Sequence, residues 1–158
     1  AKNMTFSRLE RLIPPVIVFA FSILLIWLLN FLFPMAYTKT AITRLVCALS
    51  FLAAGVIGVL SLMAFFKAGT TVNPVKVNTA TTLVDTGLYA YSRNPMYLAL
   101  ALLLISFSAY LVNPLGILGV AFFVCFITLF QIIPEERALM DIFGERYQRY
   151  CQRVRRWI

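Results

Sequence analysis

The sequence predicts an all-α integral membrane protein with about four transmembrane helices, and three observations lead there. Of its 158 residues 61% are hydrophobic, with a mean hydropathy of +0.87, well above the apolar share of about half in soluble domains. The apolar residues gather in four runs without charge, at residues 12–33, 45–66, 95–112 and 115–133. Each has roughly the 17–25 residues that a helix needs to cross a bilayer core, and lipid requires backbone groups to be satisfied within their own segment. Finally, the basic residues divide unevenly. With both termini cytoplasmic, Lys2, Arg8, Arg11, Lys67, Lys76, Arg93, Arg137, Arg146, Arg149, Arg153, Arg155 and Arg156 lie inside, against Lys39 and Arg44 outside. That is the positive-inside pattern. The net charge of +8 therefore reports orientation and contact with anionic lipid. No nucleic-acid motif accompanies it, and no nucleic-acid partner is expected.

One domain, residues 1–158, accounts for this length. The first run, residues 12–33, opens near Pro14 and Pro15, where proline suits a first turn. It is too long for a cleaved signal peptide and no small-residue site follows it, so it reads as a retained membrane anchor. The second run, 45–66, carries Ser50, Ala54 and Gly58 every four residues. Such a small-residue stripe lets helix backbones approach, and packing is the expected role. Residues 67–92 form a cytoplasmic loop, long enough to carry function. Runs three and four are separated only by Asn113 and Pro114, a tight helical hairpin. From Pro134 to Val154, the spacing of Leu139, Phe143, Tyr147, Tyr150 and Val154 predicts an amphipathic cytoplasmic helix over 134–154.

Histidine is absent, and Cys47, Cys125 and Cys151 form no paired motif. A zinc site of the usual ligands is not expected. A histidine base is excluded.

Two polar stretches stand out. In Gly87–Leu–Tyr–Ala–Tyr–Ser–Arg–Asn–Pro–Met–Tyr97, Asn94 and Pro95 read as N-cap and first helical residue. Arg93 and the free amides of that helix end suit an anion, while Tyr89, Tyr91 and Tyr97 equally describe an interfacial aromatic belt. The second stretch, Glu135–Glu136, lies where the fourth run leaves the membrane. Two acids there serve either as helix-dipole partners or as a wall that receives a cation. Acids at the edge of hydrocarbon are costly unless paired, and Arg93 and Arg153 are the partners expected on that side.

The order G-x-Y-x-x-x-R-[HN]-P-x-Y, then E-E, then F-G-x-x-Y-x-x-Y-x-x-R-V, spans about residues 83–154. It resembles the membrane methyltransferases, the group of isoprenylcysteine carboxyl methyltransferase and the phospholipid methyltransferases. The resemblance implies a cytoplasmic site for S-adenosylmethionine, with S-adenosylhomocysteine as product and a lipophilic carboxylate, amine or thiol as methyl acceptor beside membrane lipid. It implies that Gly87, Leu88, Tyr89, Asn94, Pro95, Tyr97 and Glu136 bind the cofactor. Arg93, Glu135 and Arg153 would serve catalysis, with Arg153 closing the site from the last helix. Two positions depart from the pattern: Asn94 stands where the isoprenylcysteine enzymes carry histidine, and Arg155 where a proline usually follows Arg–Val. The membrane sterol reductases, which use NADPH, resemble the C-terminal pattern too, but have longer chains. A transporter or structural membrane protein is the non-enzymatic alternative. No run carries the mid-membrane ionisable residue expected of a proton-coupled transporter.

Overall fold

Pro15 opens the first helix, α1 (Pro15–Leu32), in a computed structural model that describes residues 13–69 and 82–158. Four of the basic residues that set the expected orientation, Lys2, Arg8, Arg11 and Lys76, lie outside the described residues, as does much of the 67–92 loop.

The second helix, α2 (Ala41–Ala68), is longer than the apolar run predicts. The Thr40 hydroxyl caps it, accepting from the Thr43 N–H at 3.2 Å. Such a cap satisfies an otherwise orphaned donor and so starts the helix before the hydrophobic stretch does. Gly69, at φ 63°, ends it. At 28 residues it measures about 42 Å, longer than the roughly 30 Å of hydrocarbon.

The third helix, α3 (Pro95–Leu111), lies along α2. Between their inner faces the Ser106 hydroxyl donates to the Cys47 carbonyl at 2.8 Å. The expected hairpin then turns at Val112 and Asn113. Buried Asn113 fixes this turn: its amide donates to the Phe33 carbonyl at 3.0 Å, and its Oδ1 accepts from the Leu115 N–H at 3.0 Å. The turn is thereby stapled to the end of α1.

The fourth helix, α4 (Gly116–Ile127), runs through one π-helical turn, Thr128–Ile132, into α5 (Ile133–Phe143). The expected break at Pro134 does not occur. A proline ring normally clashes with the carbonyl four residues back, and the widened turn directly before it makes room. The break comes instead at Gly144, whose φ of 52° and ψ of −128° suit only glycine. The predicted 134–154 helix is thus two, with α6 at Glu145–Arg153.

Val18 and Ile26 of α1, Leu104 of α3, and Val120, Phe123 and Ile127 of α4 form the main core. On the outside, Val16, Phe31, Ile42 and Phe66 are each at least 66% exposed, an apolar surface that only lipid tolerates. Helices α1, α2 and the continuous Gly116–Phe143 rod are long and apolar enough to cross a membrane, and α3 is a shorter apolar helix. The protein is an all-α integral membrane protein. At one end Leu83, Tyr147, Tyr150 and Val154 form a second small core, which docks α6 against the segment that precedes α3.

Candidate functional site

The segment before α3 is shaped by Gly87. Its φ of 61° turns the chain into a 3-10 turn, Gly87–Ala90. That turn buries Tyr89 between two elements. Its ring meets Phe65 of α2 edge-on, centroids 5.2 Å apart, and its carbonyl accepts from the Tyr150 hydroxyl of α6 at 2.7 Å. Burial raises the phenol pKa of Tyr89, Tyr147 and Tyr150 above the ordinary tyrosine value. All three are neutral hydroxyls through the physiological range.

Asn94 is the N-cap position of α3, but its side chain makes no cap. It reaches the C-terminal tail, donating from Nδ2 to the Arg156 carbonyl at 2.9 Å, while the Arg93 N–H donates to the Arg155 carbonyl at 3.0 Å. The Ser92 hydroxyl accepts from the Asn94 N–H instead. Val154 is extended, with ψ of 130°, so the tail leaves α6 and runs back beside the start of α3. Trp157 then donates its indole N–H to Thr128 Oγ1 in the π-helical turn at 3.2 Å.

The two adjacent carboxylates take different partners. Tyr97, in the first turn of α3, donates its hydroxyl to Glu135 Oε1 at 2.6 Å. Glu136 receives Arg156 in a bidentate pair, Nε at 2.9 Å and Nη2 at 2.8 Å, and Arg93 Nη1 lies 3.3 Å from its Oε1. The hydrogen bonds to Glu136 raise the Arg156 pKa above its ordinary value. Arg93 Nη1 also donates to Cys151 Sγ at 2.7 Å. Its Nε is buried with no partner among the described residues, and an unmet buried donor costs free energy until something accepts from it.

These groups face one cavity of about 500 Å³. Its polar end holds Tyr89, Arg93, Asn94, Tyr97, Glu135 and Glu136, with Tyr147 and Tyr150 of α6. The other end is apolar, lined by Ala54, Gly58, Leu62, Leu100 and Leu103. The shape therefore combines a charged head and a greasy limb.

Of the residues expected at the site, six line this cavity: Tyr89, Arg93, Asn94, Tyr97, Glu135 and Glu136. Gly87, Leu88 and Pro95 do not. Gly87 and Leu88 shape the turn, with the Leu88 carbonyl accepting from the Tyr91 and Ser92 amides, and Pro95 is buried at the helix start. Arg153 lies elsewhere. Its side chain is 70% exposed and faces Asp85 at 4.0 Å. Arg156 takes the place against Glu136 because the chain reverses at Val154. The stripe expected to pack α2 does more than pack, since Ala54 and Gly58 line the apolar limb. Phe65 and Leu62, also on α2, line the cavity without any polar signal in sequence.

Fold and cavity together define a helical membrane protein with an amphipathic site at one end of its bundle. More specifically, the chain belongs to the phospholipid methyltransferase family, whose profile it matches over residues 42–146, from α2 into α6. Methyltransferase is the activity of that family, and it accords with the resemblance carried by the Gly87–Tyr97 and Glu135–Glu136 stretches. An uncharacterized protein of Haemophilus influenzae (strain ATCC 51907 / DSM 11121 / KW20 / Rd) is 48% identical over 63 residues, 40% of this chain and the whole of that protein. No solved structure matches the chain.

Proposed function

We propose that the protein transfers a methyl group from S-adenosylmethionine to the amine of a lipophilic acceptor at the cytoplasmic membrane face. The observation that carries this reading is the unequal treatment of the two carboxylates. Glu136 is held by Arg156 and Arg93, whereas Glu135 takes the neutral Tyr97 hydroxyl, and both face one cavity.

The residues fit the cofactor. Arg93 Nε, a buried donor without a partner among the described residues, suits the carboxylate of its amino-acid part. The faces of Tyr89, Tyr147 and Tyr150 suit the adenine and the sulfonium. When bound, the cofactor supplies an activated methyl on a cationic sulfur.

Everything else falls to the chain. The apolar limb beside Ala54, Gly58 and Leu103 takes the acceptor's hydrocarbon and orients its head toward the polar end. Glu135 Oε receives the proton that an ammonium must lose to expose its lone pair, and Tyr97 fixes that carboxylate's direction. Arg93 and Arg156 hold Glu136 in place. A carboxylate acceptor would need a cation of its own, and Arg93 at the cavity wall is shared by Glu136, Cys151 and, in this reading, the cofactor's carboxylate. That favours an amine over an acid.

The test is transfer of labelled methyl from S-adenosylmethionine by purified protein, with long-chain amines and long-chain carboxylic acids offered side by side. Labelled amine that disappears in Glu135→Gln supports the reading. Labelled acid, or labelling unchanged in that variant, would falsify it. Saturable binding of NADPH in place of S-adenosylhomocysteine would move the protein toward the reductases.

A further inference from the structure

A second cavity, of about 430 Å³, lies at the other end of the bundle. Tyr97 marks the first site and Ser108 the second on the same helix, α3. Eleven residues of helix separate them by about 16 Å, and the two cavities share no lining residue. The groove has an amphipathic build of its own. Thr38, Thr40, Thr43 and Ser108 give it a hydroxyl rim, and Ile105, Ala109, Ile117 and Val120 give it an apolar floor.

Charge singles out its occupant. The segment that forms the rim carries Lys39 and, one helical turn into α2, Arg44. Arg44 Nη2 donates to the Lys39 carbonyl at 3.4 Å, and Lys39 Nζ sits 4.1 Å over the Tyr110 ring at the far end of α3. Neither cation lines the groove itself, but both belong to the Tyr37–Arg44 segment that supplies its threonines. Among the described residues no acid balances them: Asp85, Glu135, Glu136, Asp141 and Glu145 all belong to the opposite end, and no acidic residue occurs between Arg11 and Val84 or between Thr86 and Pro134. A cation over an aromatic face can exchange that partner for a phosphate at small cost. A basic groove between helices at membrane depth, with a greasy floor, matches an anionic lipid head group and its chain.

We propose that this groove binds one anionic phospholipid of the leaflet opposite the active-site end, with its phosphate at Lys39, Arg44 and the threonine rim and one acyl chain along Ile105, Ala109 and Ile117. The site is independent of the methyl-transfer reading.

The test uses the full chain, delipidated in mild detergent and titrated with phosphatidylglycerol or phosphatidylcholine, with adducts counted by native mass spectrometry. Two cations near a lipid surface contribute about a 30-fold preference for the anionic lipid. The double variant Lys39→Ala/Arg44→Ala removes that preference and leaves the thermal midpoint in detergent unchanged, which shows that it is folded. Ala109→Phe fills the floor and lowers retention of the lipid itself. Equal retention of both lipids by the unaltered chain, or a preference that survives both variants, overturns the proposal. So does a doubled mass that Ala109→Phe dissociates, which would assign the groove to a second copy of the chain.

Discussion

The guanidinium of Arg156 closes on both oxygens of Glu136, with Nε 2.9 Å from Oε1 and Nη2 2.8 Å from Oε2. The pair joins the chain's last residues to the first turn of α5 at the wall of the cavity. The tail's backbone is held at the same place by Arg93 and Asn94. In the proposed site Arg156 acts as a positioning residue, holding the Glu136 carboxylate that Arg93 also meets. A charge-assisted hydrogen bond contributes about 1.5–3 kcal/mol, so Arg156→Ala is expected to weaken S-adenosylhomocysteine binding about tenfold or more in calorimetry. Arg153→Ala, which changes an exposed side chain facing Asp85, is expected to stay within about twofold. The reverse order of effects would show that the tail is incidental to the site.

Tyr97 and Glu135 make a second relationship with a different consequence. The hydroxyl fixes the direction of the carboxylate at 2.6 Å, and Tyr97→Phe keeps the ring while removing that bond. If Glu135 handles a proton, the loss falls on turnover: about 10–100-fold lower kcat, with S-adenosylhomocysteine affinity within about threefold. A variant that loses affinity and keeps kcat would make the pair a binding element only.

The architecture was legible because lipid imposes simple rules. Long apolar runs, a hairpin marked by Asn113 and Pro114, and the periodic face through Tyr147, Tyr150 and Val154 all follow from local pattern. Juxtaposition at the site was legible in part. Arg93 beside Glu136 follows from placing two polar stretches at one membrane end. Arg156 was not legible, because extending one helix to Val154 puts the wrong arginine inward, and the turn that corrects this depends on packing of Val154. Nor did sequence separate Pro134 as a helix breaker from Pro134 as a tolerated residue, since the relief comes from the π-helical turn before it. Ala54 and Gly58 read as packing because small residues look alike whether they admit a helix or a ligand.

The buried tyrosines set an alkaline limit. Burial raises the pKa of Tyr89, Tyr147 and Tyr150 in the folded protein. Below the unfolded value near 10 both states hold the proton, so their stabilising contribution is complete. Above it the unfolded chain releases protons that the folded chain keeps, and stability falls as pH rises toward the folded value. The thermal midpoint in detergent is expected to be insensitive to these groups below about pH 9 and to drop steeply above about pH 10. Tyr150→Phe loses the bond to the Tyr89 carbonyl and begins lower at neutral pH, yet its further decline above pH 10 is shallower. An equally steep decline in that variant would assign the alkaline limit to other groups.

The close approach of α4 to α1 rests on Gly119. A Cβ there would run into the Ile26 side chain, with the Ser22 carbonyl 3.3 Å away. Backbone cannot yield as a flexible side chain can, and Ile26 is itself buried in the main core. Overpacking of this kind costs about 1–3 kcal/mol, which for a chain of this length lowers the thermal midpoint by roughly 3–10 °C. Gly58 supplies the contrast within the same bundle. A Cβ there meets the Ala99 Cβ at 3.7 Å, an ordinary contact, so Gly58→Ala is expected to leave the midpoint unchanged or slightly higher. Because Gly58 lines the apolar limb of the cavity, a bulkier Gly58→Leu should instead discriminate against long-chain acceptors while S-adenosylhomocysteine still binds. Comparing melting curves and acceptor profiles of the three variants separates the two uses of glycine. Gly119 spaces the helices, Gly58 is expected to leave room for the proposed acceptor, and a common loss of stability at both positions would refute that division.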